Sequence, residues 1–279
     1  MSDLKSFPYL HGFSDEEQTR LRQQAKFAEH AIYRDIDFTN AQEVLEVGCG
    51  VGAQSEILLR RFPDIKLTGI DFNPRQLQAA NAFLNSKEEI KNRYKVLEMD
   101  AMNMSFNAGE FDGAFLCWVL EHVPDPSRVL SEVRRVLKPG ARVFITEVMN
   151  STFFVDPYSP NVWKYWTAFN DFQYDNAGDP FVGAKLGNIL TSLGYSLIKT
   201  KMFTWHLDNR HPAKRKEMFD YWLSLMLSGA EQLMESKYID KQTIDAAIKE
   251  MNDVKVNPNA VFMYSFMQAE ATVMPSANN

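Results

Sequence analysis

The apolar positions between residues 43 and 148 predict short buried strands that alternate with helices. The strands are expected at residues 44–47, 66–70, 94–97, 111–119 and 142–148, with helices beginning near residues 54, 74 and 125. The fourth strand is almost wholly apolar, as expected for a strand buried on both faces. Strands and helices alternating at this spacing indicate an α/β fold, whose mostly parallel sheet has helices on both faces.

The pattern changes on either side of this region. A first helix is predicted after Ser14, because Ser14 and Glu17 have the spacing of a capping box. Residues 151–178 are rich in aromatic side chains, and further strands are expected near 195–203 and 260–267. Helices are expected over about 180–193, from Pro212 onward with Trp222 in an apolar stripe, and near 241–251. We therefore divide the chain into an N-terminal helical cap at 1–42, a core at 43–150, and a segment at 151–279 that returns to the sheet and carries helical and aromatic insertions.

Composition narrows the class of protein. Hydrophobic residues make up 45% and charged residues 24% of the 279 residues, with a formal net charge of −6. The negative charge disfavours a nucleic-acid partner, which requires a basic surface. No apolar run reaches the ~20 residues of a membrane span, and no secretory signal precedes the first helix. The two cysteines suggest no disulfide framework, so we expect a cytoplasmic protein.

A glycine-rich loop is the most informative local feature. Gly48, Gly50 and Gly52 follow the first strand, where a tight turn must let the backbone approach a ligand closely. The helix amides beyond the loop favour a negatively charged group. However, the stretch 48–53 also satisfies the G-x-G-x-x-G/A pattern of NAD enzymes, so the glycines alone do not separate the two cofactors.

The residues around the loop resemble a known family. Residues 44–52, Val-Leu-Glu-Val-Gly-Cys-Gly-Val-Gly, resemble motif I of class I methyltransferases that use S-adenosyl-L-methionine (SAM). Further matching features follow in the family order: Asp71 after the second strand, Asp100-Ala101 after the third, Leu120-Glu121-His122-Val123-Pro124-Asp125-Pro126 after the fourth, and Leu137-Lys138-Pro139-Gly140 before the fifth. The resemblance covers about residues 43–148 and is strongest to the methyltransferase type 11 or UbiE-like group. It implies a Rossmann-like, seven-stranded sheet with an antiparallel last strand and a helical lid.

The resemblance also implies which residues contact SAM. Asp71 would accept hydrogen bonds from the ribose hydroxyls, and Asp100 from the adenine amino group. The other expected cofactor contacts are Glu46, Gly48, Cys49, Gly50, Phe72, Gln76, Ala101, Met102, Cys117 and Trp118. Phe72 and Met102 are alternatively core residues, and Gln76 alternatively faces water. Residues 9–14 are similar to the leading helix of small-molecule methyltransferases such as the teleocidin C-methyltransferase, which would fold Tyr9 over the cofactor.

The methyl acceptor should meet the chain near two other features. His122 follows the fourth strand and is the candidate general base, although it alternatively only packs at the helix entrance. Trp163, Trp166 and Phe169 recur at helical spacing, which is typical of core packing but also suits a lid over an apolar substrate. His206 and His211 are weaker candidates for the general base, and His206 is also a candidate substrate contact. The five histidines have no metal-ligand spacing, so no metal is expected.

These features favour an enzyme that methylates a small, apolar or aromatic organic acceptor and releases S-adenosyl-L-homocysteine (SAH). The Asn/Asp-Pro-Pro-Tyr motif of many nitrogen methyltransferases is absent after the fourth strand, and no Pro-Cys pair suggests a cytosine C5 mechanism. Three alternatives stay open: an NAD-dependent oxidoreductase, a catalytically silent SAM-binding protein, and an enzyme with a macromolecular substrate. A homo-oligomer is also compatible with the sequence.

Overall fold

A computed structural model describes residues 10–274 of the chain. The fold is α/β, and its sheet has the order β3-β2-β1-β4-β5-β8, with β6 and β7 both paired to β8. The strands are β1 (Glu43–Val47), β2 (Lys66–Asp71), β3 (Tyr94–Glu98), β4 (Phe111–Cys117), β5 (Leu137–Val148), β6 (Phe154–Asp156), β7 (Ser196–Leu207) and β8 (Val261–Thr272). The strands β1 to β5 pair in parallel, and β8 is antiparallel to β5, which confirms the predicted Rossmann-like architecture.

The sheet differs from the prediction by one strand. β6 is only three residues long and pairs with the start of β8, so the described sheet has eight strands instead of seven. Its sequence, Phe-Val-Asp, lies inside the aromatic stretch and is too short for an alternating pattern to be recognised. The strands β6 and β7 therefore both pair with β8.

The helices lie on both faces of the sheet. They are α1 (Asp15–Tyr33), α2 (Ala53–Arg61), α3 (Pro74–Asn85), α4 (Pro126–Val136), α5 (Pro160–Asp175), α6 (Leu186–Ser192), α7 (Pro212–Ser228), α8 (Ala230–Glu235) and α9 (Lys241–Val256). Consecutive strand residues point to opposite faces. Val44 accordingly packs into the core shared with α1, α5, α7 and α9, whereas Leu45 packs into the core shared with α4 and α6.

Side-chain caps fix where the helices that flank the ligand edge begin. The Asn73 side chain accepts hydrogen bonds from Arg75 N and Gln76 N, and Pro74 occupies the first helical position of α3. Asp125 caps α4 in the same way. Ser14 accepts from Glu17 N and caps α1 as expected. These caps fix the first residue of each of the three helices.

The insertion after β5 is more broken than the sequence suggested. The helix expected over 180–193 is a 3-10 turn at Val182–Lys185 followed by α6. A Cβ atom on Gly183 would lie 2.5 Å from the carbonyl oxygen of Val148, so the chain passes unusually close to β5 there. The helix α8, which was not expected, follows α7 after Gly229. Within residues 10–274, no helix has the length and apolar character that a bilayer crossing requires.

Candidate functional site

A cavity of about 270 Å³ opens at the carboxyl ends of β1, β2 and β4. Parallel α/β sheets bind ligands at this edge, where the strand order reverses. The outer end of the cavity is formed by the glycine loop and the loops after β2 and β3, and we call it the loop end. The inner end, here the inner chamber, is lined by Glu121, Trp166, Phe169, Trp205, Tyr221, Trp222 and Tyr264.

The glycine loop is shaped by its backbone. Gly48 and Gly50 have φ values of 70° and 49°, in the left-handed region that favours glycine. A Cβ atom on Gly48 would lie 2.5 Å from a methyl group of Val119, whereas a Cβ atom on Gly50 would meet nothing within 4 Å. Both glycines line the cavity, together with Cys49. Gly48 therefore needs to be small for packing, and the space beside Gly50 is open to a ligand.

Glu46 lies beneath the loop and does not line the cavity. Its carboxylate accepts a hydrogen bond from the Ser55 hydroxyl at 2.5 Å, and its side chain is buried. Burial raises the pKa of Glu46 to about 8, partly opposed by this hydrogen bond. Glu46 therefore ties β1 to α2 and supports the loop from below, instead of facing the cavity as the sequence suggested.

Asp71 links the loop to the end of β2. Its Oδ2 accepts from Gly50 N and its Oδ1 from Asn73 N, both at 2.9 Å. A carboxylate offers about four acceptor positions, so further hydrogen bonds can still be accepted. Burial raises the pKa of Asp71, and hydrogen bonds from the backbone of Asn73, Gly50 and Phe72 oppose that rise. The side chain lines the cavity and is placed to accept a pair of hydroxyl groups from a ligand.

Two neighbours of Asp71 also line the loop end. Phe72 leaves 48% of its surface exposed and meets Phe13 edge to face, with ring centroids 6.3 Å apart. An exposed aromatic ring at a cavity mouth offers a flat apolar surface to a ligand. Gln76 is 3% exposed, and its Oε1 has no hydrogen-bond partner among the described residues. Buried polar atoms are normally paired, so this oxygen is suited to a ligand donor.

The loop after β3 completes the outer wall. Asp100, Ala101 and Met102 all line the cavity. Asp100 Oδ1 accepts from Met102 N at 2.8 Å, which closes the turn. The structural role and the expected binding role of Asp100 are compatible, because the second carboxylate oxygen is not used in this turn.

The loop after β4 joins the two ends of the cavity. Cys117 and Trp118 line it, and Trp118 has a φ of 56°, a rare conformation for a bulky residue. The Trp118 N–H donates to the carbonyl oxygen of Thr146 at 2.8 Å, which holds the residue at the end of β5. Backbone strain of this kind is concentrated at functional sites. Burial raises the pKa of the Cys117 thiol, so this sulfur is a neutral wall and not a nucleophile.

Glu121 and His122 form a polar cluster at the entrance of the inner chamber. His122 Nε2 lies 3.4 Å from Glu121 Oε1, and Gln173 Nε2 lies 3.4 Å from His122 Nδ1. Gln173 also donates to Glu121 Oε2 at 3.1 Å. Burial lowers the pKa of His122, although Glu121 partly opposes this change. The imidazole is therefore neutral at neutral pH and able to accept a proton.

Glu147 lies behind this cluster, buried within β5. Its Oε1 accepts from Val119 N at 3.0 Å and from Leu120 N at 2.8 Å, so it orients the loop after β4. Burial and the nearby charge of Glu121 raise the pKa of Glu147 to about 8. Glu147 is thus mainly protonated at neutral pH, and Glu121, unlike Glu147, lines the cavity.

The predicted substrate residues divide into two groups. Trp166 and Phe169 line the inner chamber and stack on one another, with ring centroids 5.2 Å apart. Trp163 does not line the cavity and packs against Phe153, which corrects its assignment as a substrate contact. His206 is exposed on β7, 3.5 Å from Arg210, and also lies outside the cavity. The alternation of β7 turns Trp205 towards the chamber and His206 away from it.

Two other predicted residues have different outcomes. His211 is exposed at the start of α7 and is not a cavity residue. Tyr9 lies outside the described residues, so its expected contact with the cofactor stays a prediction. Within residues 10–274, no cluster of three or more His, Cys, Asp or Glu side chains could hold a metal ion.

The sequence reasoning missed most of the inner chamber. Asn150 follows β5 and is a hydrogen-bond centre: its Oδ1 accepts from Tyr264 and its backbone oxygen from Trp166 Nε1. Tyr221 and Trp222 come from α7, where Trp222 was counted only as part of an apolar stripe and Tyr221 was not singled out. The Trp222 Nε1 atom is buried without an acceptor among the described residues. Only the position of Asn150 at a strand end was a usable signal.

Helix α1 closes the remaining side. The Arg20 guanidinium makes two hydrogen bonds of 2.6 Å to the Glu17 carboxylate, and both side chains are buried. Arg20 also reaches Gln24 at 2.9 Å and the Tyr221 hydroxyl at 3.5 Å. Arg20 and Gln24 line the cavity, so the N-terminal helix forms one of its walls.

The sequence and fold can be compared with those of known proteins. Residues 45–145 match a family model described as a methyltransferase domain. A demethylmenaquinone methyltransferase of Lactococcus lactis is 37% identical over 110 residues, which cover 39% of this chain and 43% of that protein. A sterol 24-C-methyltransferase of Gibberella zeae is 34% identical over 112 residues, which cover 40% of this chain and 29% of that protein. The match spans less than half the length of either relative.

The fold comparison extends further along the chain. The structure of Haemonchus contortus phosphoethanolamine N-methyltransferase 2 in complex with S-adenosyl-L-methionine has a TM-score of 0.56. The aligned region covers 91% of this chain and 53% of the other chain. Because the sequence identity is only 17%, this likeness supports the fold alone. The family match coincides with β1 to β5 and with the loops that form the loop end of the cavity. Over residues 45–145 the chain is thus similar to the methyltransferase family, in agreement with the resemblance found in its motifs.

Proposed function

We propose that this protein binds SAM at the loop end of the cavity and transfers its methyl group to a small organic acceptor in the inner chamber. The observation that carries this proposal is the continuity of one cavity from Asp71 and Gly50 to the aromatic inner chamber. The family match over residues 45–145 supports the cofactor, and the aromatic walls support an apolar or aromatic acceptor. The match covers less than half of either relative, so the identity of the acceptor is left to the experiments below.

The residues at the loop end fit the parts of SAM. Asp71 has acceptor positions for the ribose hydroxyls, and Gln76 Oε1 is a buried acceptor that still lacks a donor. The open space beside Gly50 suits the close approach of the methionine part. Asp100, the ring of Phe72 and the thioether side chain of Met102 would hold the adenine. Glu46, by contrast, would act on the cofactor only through the loop that it supports.

The chain contributes alignment and a dry site. SAM supplies an already activated methyl group, so the protein mainly has to place an acceptor atom in line with it. Such positioning can be worth about 7–11 kcal/mol. Trp118, held at the end of β5, would fix the boundary between cofactor and acceptor. His122 would accept a proton from acceptors that carry one, because its imidazole is neutral at neutral pH.

The proposal is tested first by ligand binding. Thermal unfolding is followed with SAM, SAH and NADH, each at a concentration of about 100 times the Kd expected for SAM. At that concentration a bound ligand adds about 2.7 kcal/mol to the free energy of unfolding. We expect SAM and SAH to raise the melting temperature and NADH to leave it unchanged. Stabilisation by NADH instead would favour the oxidoreductase alternative.

A second experiment tests methyl transfer. The protein is incubated with methyl-labelled SAM and a metabolite extract, and labelled products are detected by mass spectrometry. We expect a labelled small molecule whose formation requires the folded protein. For an acceptor that loses a proton, His122→Gln should lower kcat by about 100-fold with unchanged SAH affinity. Normal SAM binding with no labelled product from any extract would favour the silent SAM-binding alternative.

A further inference from the structure

The inner chamber combines two features that the proposed function does not by itself require. Its walls are mainly aromatic, and one carboxylate, Glu121, lies among them. The aromatic residues that line it are Trp166, Phe169, Trp205, Tyr221, Trp222 and Tyr264, with Trp118 at its boundary with the loop end. The face of an aromatic ring is electron-rich and attracts cations, most strongly where water is excluded.

The rings form a continuous wall. The centroids of Trp222 and Tyr264 are 4.5 Å apart, those of Trp166 and Trp222 are 5.4 Å apart, and those of Trp166 and Phe169 are 5.2 Å apart. Each of these four side chains is at most 4% exposed. Trp166 and Phe169 cover one face of each other by stacking, but all four side chains line the cavity, so a ligand there contacts several aromatic rings at once.

The charges around the chamber leave it with a net negative character. Arg20 is neutralised by Glu17 through their paired hydrogen bonds. Among residues 10–274, no lysine or arginine forms an ion pair with Glu121, whose carboxylate contacts His122 and Gln173 instead. His122 is neutral at neutral pH because burial lowers its pKa. An anionic acceptor would thus meet an uncompensated carboxylate, whereas a cation would be attracted.

We propose that the inner chamber binds the methyl acceptor as an amine, whose positively charged nitrogen lies among the aromatic rings and beside Glu121. This inference rests on the proposed function and narrows its substrate class. A neutral alkene would use the rings but gain nothing from the carboxylate. A phenol would gain a hydrogen bond to it but no attraction between opposite charges, and a carboxylate anion would be repelled by it.

The transfer step balances with the groups present. The ammonium nitrogen first gives a proton to His122. Its freed lone pair then forms the new C–N bond to the methyl group as the C–S bond breaks, and SAH leaves with the bonding electrons. The methylated nitrogen is again a cation, so the chamber is suited to both acceptor and product. Glu121 acts here as a binding residue and as the neighbour that orients His122.

The test uses a matched pair of probes, choline and its uncharged carbon analogue 3,3-dimethylbutan-1-ol. Binding of each to the full-length protein is measured by calorimetry, with and without saturating SAH. We expect choline to bind at least about 10-fold more tightly than the neutral analogue, as cation–π attraction in a desolvated site implies. Equal or tighter binding of the neutral analogue would overturn the proposal.

Substitutions of Glu121 and Tyr221, each with a control variant, test whether the preference for choline arises in the inner chamber. Glu121→Gln should reduce the choline preference at least about 10-fold, whereas Glu231→Gln, at an exposed position on α8, should preserve it. Tyr221→Phe should retain the preference better than Tyr221→Leu, because phenylalanine keeps the ring. SAH affinity is measured for every variant as a check on the fold. An undiminished choline preference in Glu121→Gln would contradict the proposal even if SAH binds normally, and a failure of SAH to bind the wild-type protein would contradict the proposed function alone.

Discussion

The two ends of the cavity are built in different ways. The loop end comes from a short stretch of chain, in which the turns after β1, β2 and β3 place their side chains by backbone geometry and caps. The inner chamber is assembled from α1, the loop after β4, α5, α7, β7 and β8, which are distant in the sequence. Local turns can therefore define the cofactor part, whereas the acceptor part depends on how the insertions pack.

This difference has a functional consequence. A fold that fixes its cofactor site through local loops can change its acceptor site by changing the insertions alone. The family match fits that division, because it ends at residue 145 and stops before the segments that supply Trp166, Tyr221 and Tyr264. Substitutions in the two regions should therefore separate cofactor affinity from acceptor recognition.

The largest effect is expected in the glycine loop. Gly48→Ala places a methyl group against Val119 and strains a positive φ, so we expect a loss of about 2–4 kcal/mol in the free energy of unfolding. Gly50→Ala strains a positive φ as well but meets no protein atom, so it should cost less stability than Gly48→Ala while it lowers SAH affinity. Urea unfolding and calorimetry separate the two effects. Equal loss of stability in both variants would show that Gly50 does not face the ligand space.

The next effect tests the inner chamber alone. Tyr264→Phe removes the hydroxyl that donates to the buried Asn150 Oδ1 at 2.8 Å. An unpaired buried acceptor costs about 1–3 kcal/mol, so unfolding should become easier by that amount. SAH affinity should stay within about two-fold of wild type, since the residue lies at the inner end. A large loss of SAH affinity would mean that the two ends are not separable.

A smaller effect on stability is expected at Glu147, which holds the loop after β4 between the two ends of the cavity. The raised pKa of Glu147, about 8, means that the folded protein holds this proton between its unfolded pKa near 4.5 and pH 8. Stability must therefore fall as pH rises through that interval, because the unfolded chain gives up the proton first. In Glu147→Gln, the loss of stability between pH 5 and pH 8 should be smaller than in the wild-type protein by about 1 kcal/mol or more, the equivalent of one pKa unit. Urea unfolding at pH 5 and pH 8 measures it; an unchanged slope contradicts the assignment.

The smallest effect is expected at His206, which lies outside both ends of the cavity. His206→Gln changes an exposed residue outside the cavity, so stability should change by less than about 0.5 kcal/mol. SAH affinity and methyl transfer to an acceptor found in the screen should equal those of the wild-type protein. A marked loss of methyl transfer would restore His206 as a substrate contact.

The sequence predicted the loop end much better than the inner chamber. Asp71, Gly50 and Asp100 could be placed because each follows a strand whose end is fixed by the parallel sheet. Glu46 was misplaced, since its alternation within β1 points it into the core below the loop. Tyr264 could not be found, because its role depends on β8 pairing with β5 and bringing it opposite Asn150. A local pattern does not contain such long-range pairing.

The central claim, that the loop end binds SAM through Asp71, is tested most directly by calorimetric titration with SAH. The wild-type protein is compared with Asp71→Ala and with Asp71→Asn, which retains one acceptor oxygen. A lost hydrogen bond to a charged group is worth about 1.5–3 kcal/mol, so Asp71→Ala should weaken binding by at least about 10-fold and Asp71→Asn by less. Unchanged SAH affinity in a folded Asp71→Ala protein would contradict the account.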